Sequence, residues 1–204
     1  MFNILLDALP AEWNGYQIDS DFQIGIMISQ CMQDESLNSL EKICTAASLL
    51  FGEEQENYPQ SYEEISDALQ WFLNGWNRDS VSTGKKSTGK KQEVETMDFD
   101  TDQWRIYAAF KEQYGIDLNT IEHLHFWAFM GLLTSLEECA FTRVISIREK
   151  KIDSKMSKEE KSFLQKAKEV FKIRKSEDFD ESEEEKAERQ AAIDEFNRIR
   201  KKSM

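Results

Sequence analysis

Proline and glycine are scarce in this chain, with two and eight respectively among 204 residues. A sandwich or barrel needs far more turn punctuation than that, so an all-β architecture is excluded. Cysteine is scarce as well. Cys31, Cys44 and Cys139 form an odd, widely spaced set, which rules against a disulfide framework and suits a reducing compartment. On this reading the three thiols are small buried side chains. Long hydrophobic runs are missing: the densest apolar stretch, Leu124 to Leu136, is too short to span a bilayer. The opening Met1 to Asp7 has no basic residue ahead of its apolar run and does not read as a signal peptide. A cytoplasmic location without membrane contact is therefore expected.

Histidine is limited to His123 and His125. Spaced by two on a helix, they would point to different faces and chelate one metal poorly. One is expected in or beside the core, the other in solvent.

What the chain does have is aromatic weight and charge. Its apolar fraction of 40% includes thirteen Phe and five Trp, enough to build a core and to exclude disorder throughout. The net charge is −13 and unevenly spread. Lys and Arg against Asp and Glu leave −12 over residues 1–79, +4 over 80–92, −8 over 93–139, +7 over 140–175 and −4 over 176–204. An acidic body next to a basic segment can dock on itself, on a second copy or on a partner. Its overall sign argues against nucleic acid as the main ligand.

Along the chain, Phe2 to Leu6 reads as a short strand. The pair Asn14-Gly15 then predicts a tight turn into a second strand, Tyr16 to Ile18. Phe22 to Met32 mixes strand and helix signals; Ser20 and Asp21 tip it to a helix. Ser36 is expected to cap an amphipathic helix bearing Leu37, Leu40, Ile43, Cys44, Ala47 and Leu50 on one broad face. Ser61-x-x-Glu64 is a capping box opening a helix through Ile65, Leu69, Phe72 and Trp76, with Gly75 near its end. Thr101 to Tyr114 reads as a helix stopped by Gly115. Asn119-x-x-Glu122 predicts another, running from Ile121 to Leu136 and apolar on nearly every side, hence the most buried element. Ala140 to Lys150 is a further helix. Ser157-x-x-Glu160 opens the next, with Phe163, Leu164, Ala167, Val170 and Phe171 on one stripe. Residues 176–185 are an acidic run, and Glu184 to Lys202 is a charged helix with Ala192, Phe196 and Ile199 as its seam. These late helices have too little apolar surface to fold alone.

The expected fold is mainly α: a compact helical domain with a short N-terminal β-hairpin and an appended charged helical C-terminal segment. Residues 1–79 supply the hairpin and the first helices. Residues 80–97 form a flexible linker built on a repeat of Ser-Thr-Gly-Lys-Lys. Residues 98–152 complete the same body, and 153–204 are the amphipathic tail. Trp71, Trp104, Phe126 and Trp127 are assigned to the core.

Several fragments resemble chemistry and then fail it. Gly84-x-x-x-x-Gly89-Lys90 follows most of a phosphate loop, but Lys91 stands at the magnesium-binding hydroxyl and no apolar strand precedes it. Asp98-x-Asp100-x-Asp102 begins like a calcium loop. Gln103 replaces its glycine and Ala109 its bidentate glutamate, so these acids are expected to serve a helix N-terminus. The pairs Glu53-Glu54, Glu63-Glu64 and Glu137-Glu138 splay apart on a helix. Around the basic stretch Arg143 to Lys175, Phe163 and Phe171 lie on the apolar stripe rather than among the lysines, so base stacking is not indicated. No catalytic residue, cofactor or metal site is nominated, and the chain is read as a protein-binding protein rather than an enzyme.

Particular strings carry a resemblance. LDALP with NGYQIDSDFQ, the run DQWRIYAAFKEQYGIDL, IEHLHFWAFMGLL, MSKEEKSF and SEEEKAE together resemble a family of bacteriophage proteins of Gram-positive hosts, named only for its gene's ordinal position. The likeness covers nearly the whole chain outside the Lys-rich linker. It implies a gene of the tail module just before the tape-measure gene, and a tail assembly chaperone at work in the host cytoplasm. The implied partners are the tape-measure protein and the tail-tube protein, with self-association also open. A minor tail component retained in the virion is the alternative. Under the chaperone reading, Phe163, Leu164, Ala167, Val170 and Phe171 are the expected partner contact.

Overall fold

A computed structural model of the chain describes residues 2–53, 59–77 and 96–173. Asn14 and Gly15 both take positive φ, 48° and 87°, and fold β1 (Glu12–Trp13) back on β2 (Tyr16–Gln17) as an antiparallel pair. The predicted first strand, Phe2 to Leu6, is absent. Its backbone turns instead, because the amides of Leu6 and Asp7 donate to Asn3 O and the Asp7 carboxylate takes the Asn3 amide at 2.7 Å. The apolar run therefore has no pairing strand, and Leu5 stands 87% exposed.

Seven helices follow among the described residues: α1 (Phe22–Gln33), α2 (Ser39–Phe51), α3 (Tyr62–Asn74), α4 (Phe99–Tyr114), α5 (Phe126–Thr134), α6 (Ala140–Glu149) and α7 (Lys158–Val170). Their starts are written in side-chain acceptors. Asp21, Ser61, Asp98 and Ser157 each accept an amide of the first turn, and Ser157 with Glu160 completes a capping box. At α2 the cap is Asn38 rather than Ser36. The Ser36 hydroxyl is bound to Asp34 Oδ1 at 2.6 Å, while the Asn38 side chain accepts the amides of Leu40 and Glu41 and the Asn38 amide donates in return to the Glu41 carboxylate.

The predicted start of α5 at Asn119 is also displaced. Asp117 takes the amides of Asn119, Thr120 and Ile121 in a local turn. The next residues are then drawn into extended pairing with the beginning of α1: Phe22 N donates to Leu124 O and Phe126 N to Ser20 O, both at 2.8 Å. Two long-range hydrogen bonds thus hold this stretch extended, and α5 begins only at Phe126. Short as it is, this helix sits at the centre, with Phe126, Trp127, Phe129 and Leu133 buried.

Aromatic rings converge there. Phe129 stacks on Phe22 and Phe110, each with centroids 5.1 Å apart, and Phe126 meets Phe72 at 5.3 Å. Trp127 lies edge-on to Trp71 at 5.0 Å and donates its indole N–H to Phe72 O at 2.7 Å. Close approach of α1 to α5 depends on Gly25, where a Cβ would come within 2.1 Å of the Phe126 ring. Around this centre α1 packs on α2, α3 and α5, α4 packs on α6, and α6 carries α7. Thr96 and Met97, at the end of the expected linker, already belong to the body: Met97 lies against the core and Thr96 O accepts from Arg148. The Ser-Thr-Gly-Lys-Lys repeat, the acidic run and the helix expected over 184–202 lie outside the described residues.

Candidate functional site

Trp104 was expected in the core, and it is 76% exposed. Helical geometry gives the reason. The buried face of α4 is Asp102, Ile106, Ala109 and Phe110, and Trp104 lies two residues, about 200°, from Ile106. Its ring stands at the lip of a groove of about 400 Å³ between α1, α4 and the loop before α5. Phe22 and Phe129 form part of the lining, with Ile26 from α1, Phe99 and Tyr107 from α4, and Leu118 from the loop. Trp104 is held edge-to-face against Tyr107, with centroids 6.0 Å apart.

Polar ties brace this groove. Gln30 Nε2 donates to Asp100 Oδ1 at 2.8 Å, joining α1 to α4. Lys111 Nζ donates to Asp117 Oδ2 at 2.5 Å, joining α4 to the loop. That bond holds the Asp117 carboxyl below its ordinary pKa and raises the lysine above its own. An apolar trough with a Trp and a Tyr on its wall and helices on two sides is suited to the apolar face of a helical partner. A wider depression of about 860 Å³ lies under the N-terminal turn, among Phe2, Leu9, Trp76 and Trp127; one of its walls is a loop.

The expected contact stripe on α7 is divided by the structure. Leu164 is buried, and Ala167 and Phe171 are partly buried, while Phe163 and Val170 stand 73% and 69% exposed. What fastens the inner half is a residue that sequence reasoning missed. Arg148 of α6 is buried and forks onto buried Asp102 of α4, at 2.5 Å to Oδ2 and 3.1 Å to Oδ1. The same guanidinium donates to Phe171 O at 2.6 Å and to Thr96 O at 3.0 Å. Lys168 Nζ returns a bond to Arg148 O, and Arg105 lies 5.7 Å above the Phe171 ring. Asp98 does cap α4, as expected of that acidic run, whereas Asp102 turns inward to this node. The available signal was the phase of Asp102, one turn before Ile106 on the buried side.

The two histidines separate as expected. His123 is exposed, 3.2 Å from Asp21 Oδ2. His125 is buried and caps α5: its Nδ1 accepts the Trp127 amide at 3.0 Å, so Nε2 carries the proton and donates to Pro10 O at 3.0 Å. Burial pushes its pKa down. Cys139 is buried, Cys31 is half-buried and Cys44 is exposed, so only the first fits the core role assigned to all three. Among the described residues, no cluster of three or more His, Cys, Asp or Glu is placed to hold a metal, and no helix is long and apolar enough to cross a membrane.

No curated protein and no solved structure matches the chain. The family described as Bacteriophage Gp15 protein matches residues 5–173, which includes α1 to α7 and every residue of the groove. The chain belongs to that bacteriophage family.

Proposed function

We propose that this phage protein is a tail assembly chaperone. It binds the tape-measure protein of its own phage, encoded by the following gene in the tail module of a siphophage of a Gram-positive host. It helps recruit tail-tube subunits and works in the cytoplasm of that host. The observation that carries this reading is the groove at Trp104. A long assembly helix exposes an apolar stripe until its final partners arrive, and a braced apolar trough beside a projecting indole gives that stripe a temporary seat. The acidic surface supports the reading as well, since repulsion between like-charged complexes keeps them in solution. Binding here is non-covalent and uses no catalytic group.

Co-expression with the adjacent tape-measure protein tests this. The full chain is expected to raise the soluble yield of tape measure and to co-purify with it. A Trp104→Ala variant, which removes an exposed ring, is expected to weaken that complex by roughly tenfold or more while leaving its own stability within about 0.5 kcal/mol. No complex between two well-expressed proteins would sink the proposal. Presence of the chain in purified virions would favour a retained minor tail component instead.

A further inference from the structure

We infer that residues 3–8 are a lid: the N-terminal turn closes onto the depression beneath it, carrying Ile4 and Leu6 down against Trp76 and Gly131. The structure shows this lid raised. None of the residues lining the depression lines the groove at Trp104, so the lid stands apart from the proposed partner site.

The turn is an arch on two feet. Residues 3–8 are all exposed, while Phe2 before them and Leu9 and Pro10 after them are half-buried. The front foot is the Phe2 ring, edge-on to Trp127 with centroids 5.4 Å apart. The rear foot is Pro10, whose carbonyl is held by His125 Nε2 at 3.0 Å; beside it Ala11 O accepts the Ile18 amide at 3.0 Å. Between the feet the polar groups serve the arch itself. Asn3 O takes the amides of Leu6 and Asp7, the Asn3 side chain takes the Leu5 amide, and the Asp7 carboxylate takes the Asn3 amide. Among the described residues, no hydrogen bond joins residues 3–8 to the body. The arch can therefore pivot on its feet as one piece without breaking a bond.

What lies above and below the arch drives its closure. Ile4, Leu5 and Leu6 stand exposed in a row, Leu6 at 82%, so three apolar side chains are held in water. Beneath them the depression of about 860 Å³ is as large as pockets that enclose a small ligand, and ample for two aliphatic side chains. Ile4 and Leu6 already stand at its edge. The polar groups of its floor are engaged elsewhere. The indole N–H groups of Trp76 and Trp127 donate to Leu73 O at 3.1 Å and Phe72 O at 2.7 Å, and the Thr134 hydroxyl donates to Met130 O at 2.9 Å. Apolar filling strands none of them. At Gly131 a Cβ would meet nothing within 4 Å, so the open space reaches the backbone of α5. Closure thus removes apolar surface from water on both sides and keeps the bonds of the arch intact.

The test uses the full chain with no partner present. Methyl groups of Ile, Leu and Val are followed by NMR while a soluble gadolinium chelate speeds the relaxation of every methyl that water reaches. Ile4→Val, Leu6→Val and Val170→Ile assign the three signals needed, and Val170, exposed on α7, is the open standard. Relaxation enhancement at Ile4 and Leu6 is expected to be severalfold below that at Val170. Gly131→Leu, which fills the depression from its floor, is expected to raise both to the level of Val170 and leave the Trp104 indole signal unmoved. Should that variant fail to fold, Ile4→Ser with Leu6→Ser reads the contact from the other side: the Trp76 indole signal is expected to shift, and an unmoved signal would count against the lid. Methyls of Ile4 and Leu6 as accessible as Val170 in the unaltered chain would overturn the inference. So would protection that survives Gly131→Leu, which would seat the arch elsewhere, or protection that vanishes on dilution, which would assign the contact to a second copy. Neither result bears on tape-measure binding at Trp104.

Discussion

Arg148 is the residue on which the second half of the chain turns. Its guanidinium is buried, and its four hydrogen bonds reach Asp102, Thr96 and Phe171. Replacing it with Met leaves the Asp102 carboxylate buried with Arg105 as its one charged partner, beside the Asp98 amide. That change is expected to cost about 3–5 kcal/mol in urea unfolding, and pairing it with Asp102→Leu should recover much of the loss, because the penalty lies in the orphaned charge. His125 makes a different demand. Its neutral form caps α5, and its folded pKa is depressed by burial from the ordinary 6.5. Above that ordinary value neither the folded nor the unfolded state binds a proton, and the contribution is whole. As pH falls below it, the unfolded chain takes up the proton first, and stability drops until the lowered folded pKa is passed. Thermal melts should therefore show a lower Tm at pH 5 than at pH 7.5. His125→Asn, which keeps an acceptor for Trp127 N–H and does not titrate, should flatten that difference.

Among the elements, α7 is the least embedded. It buries one side chain, Leu164, and is otherwise tied down by Phe171 O and Lys168 on Arg148. Leu164→Ala is expected to cost about 2–5 kcal/mol if α7 unfolds with the body. Phe163→Ser, on the outer side of the same helix, should stay within about 0.5 kcal/mol. Chemical denaturation of the two variants side by side checks this. Equal small effects would show that α7 is released before the body melts. The ends of elements also mark how far local signals carry. Asp21, Ser61, Asp98 and Ser157 cap where their spacing announces a cap, since a first-turn amide is the nearest donor to a short acceptor side chain. Ser36 and Asn119 look equally suited and do not cap, because Asp34 and Asp117 claim the neighbouring donors first.

At the scale of the molecule, the helical class and the hairpin were legible because Asn14-Gly15 and the spacing of apolar residues are local facts. The central place of α5 was legible from its nearly continuous apolar surface. The groove was not, since it needs Phe22, Trp104 and Leu118 from three distant stretches of chain to meet. Trp104 was assigned inward on hydrophobicity alone, where the phase of Ile106 and Phe110 would have turned it outward. The Asp102–Arg148 pair was hidden for a related reason: a charged residue reads as solvated until its counterion, 46 positions away, is seen beside it.

The pairing of Ser20–Phe22 with Leu124–Phe126 has a consequence for how the protein is made. Asp21 accepts the Leu124 amide across a separation of 103 residues, and Phe126 fills the space that Gly25 leaves open. During synthesis α1, α2 and α3 leave the ribosome well before the strand end and helix that close them. Until the ribosome has passed Leu133, the nascent chain holds half a core with nothing to lay across it. Its closure is a late, long-range event, and its rate should follow loop closure rather than helix formation.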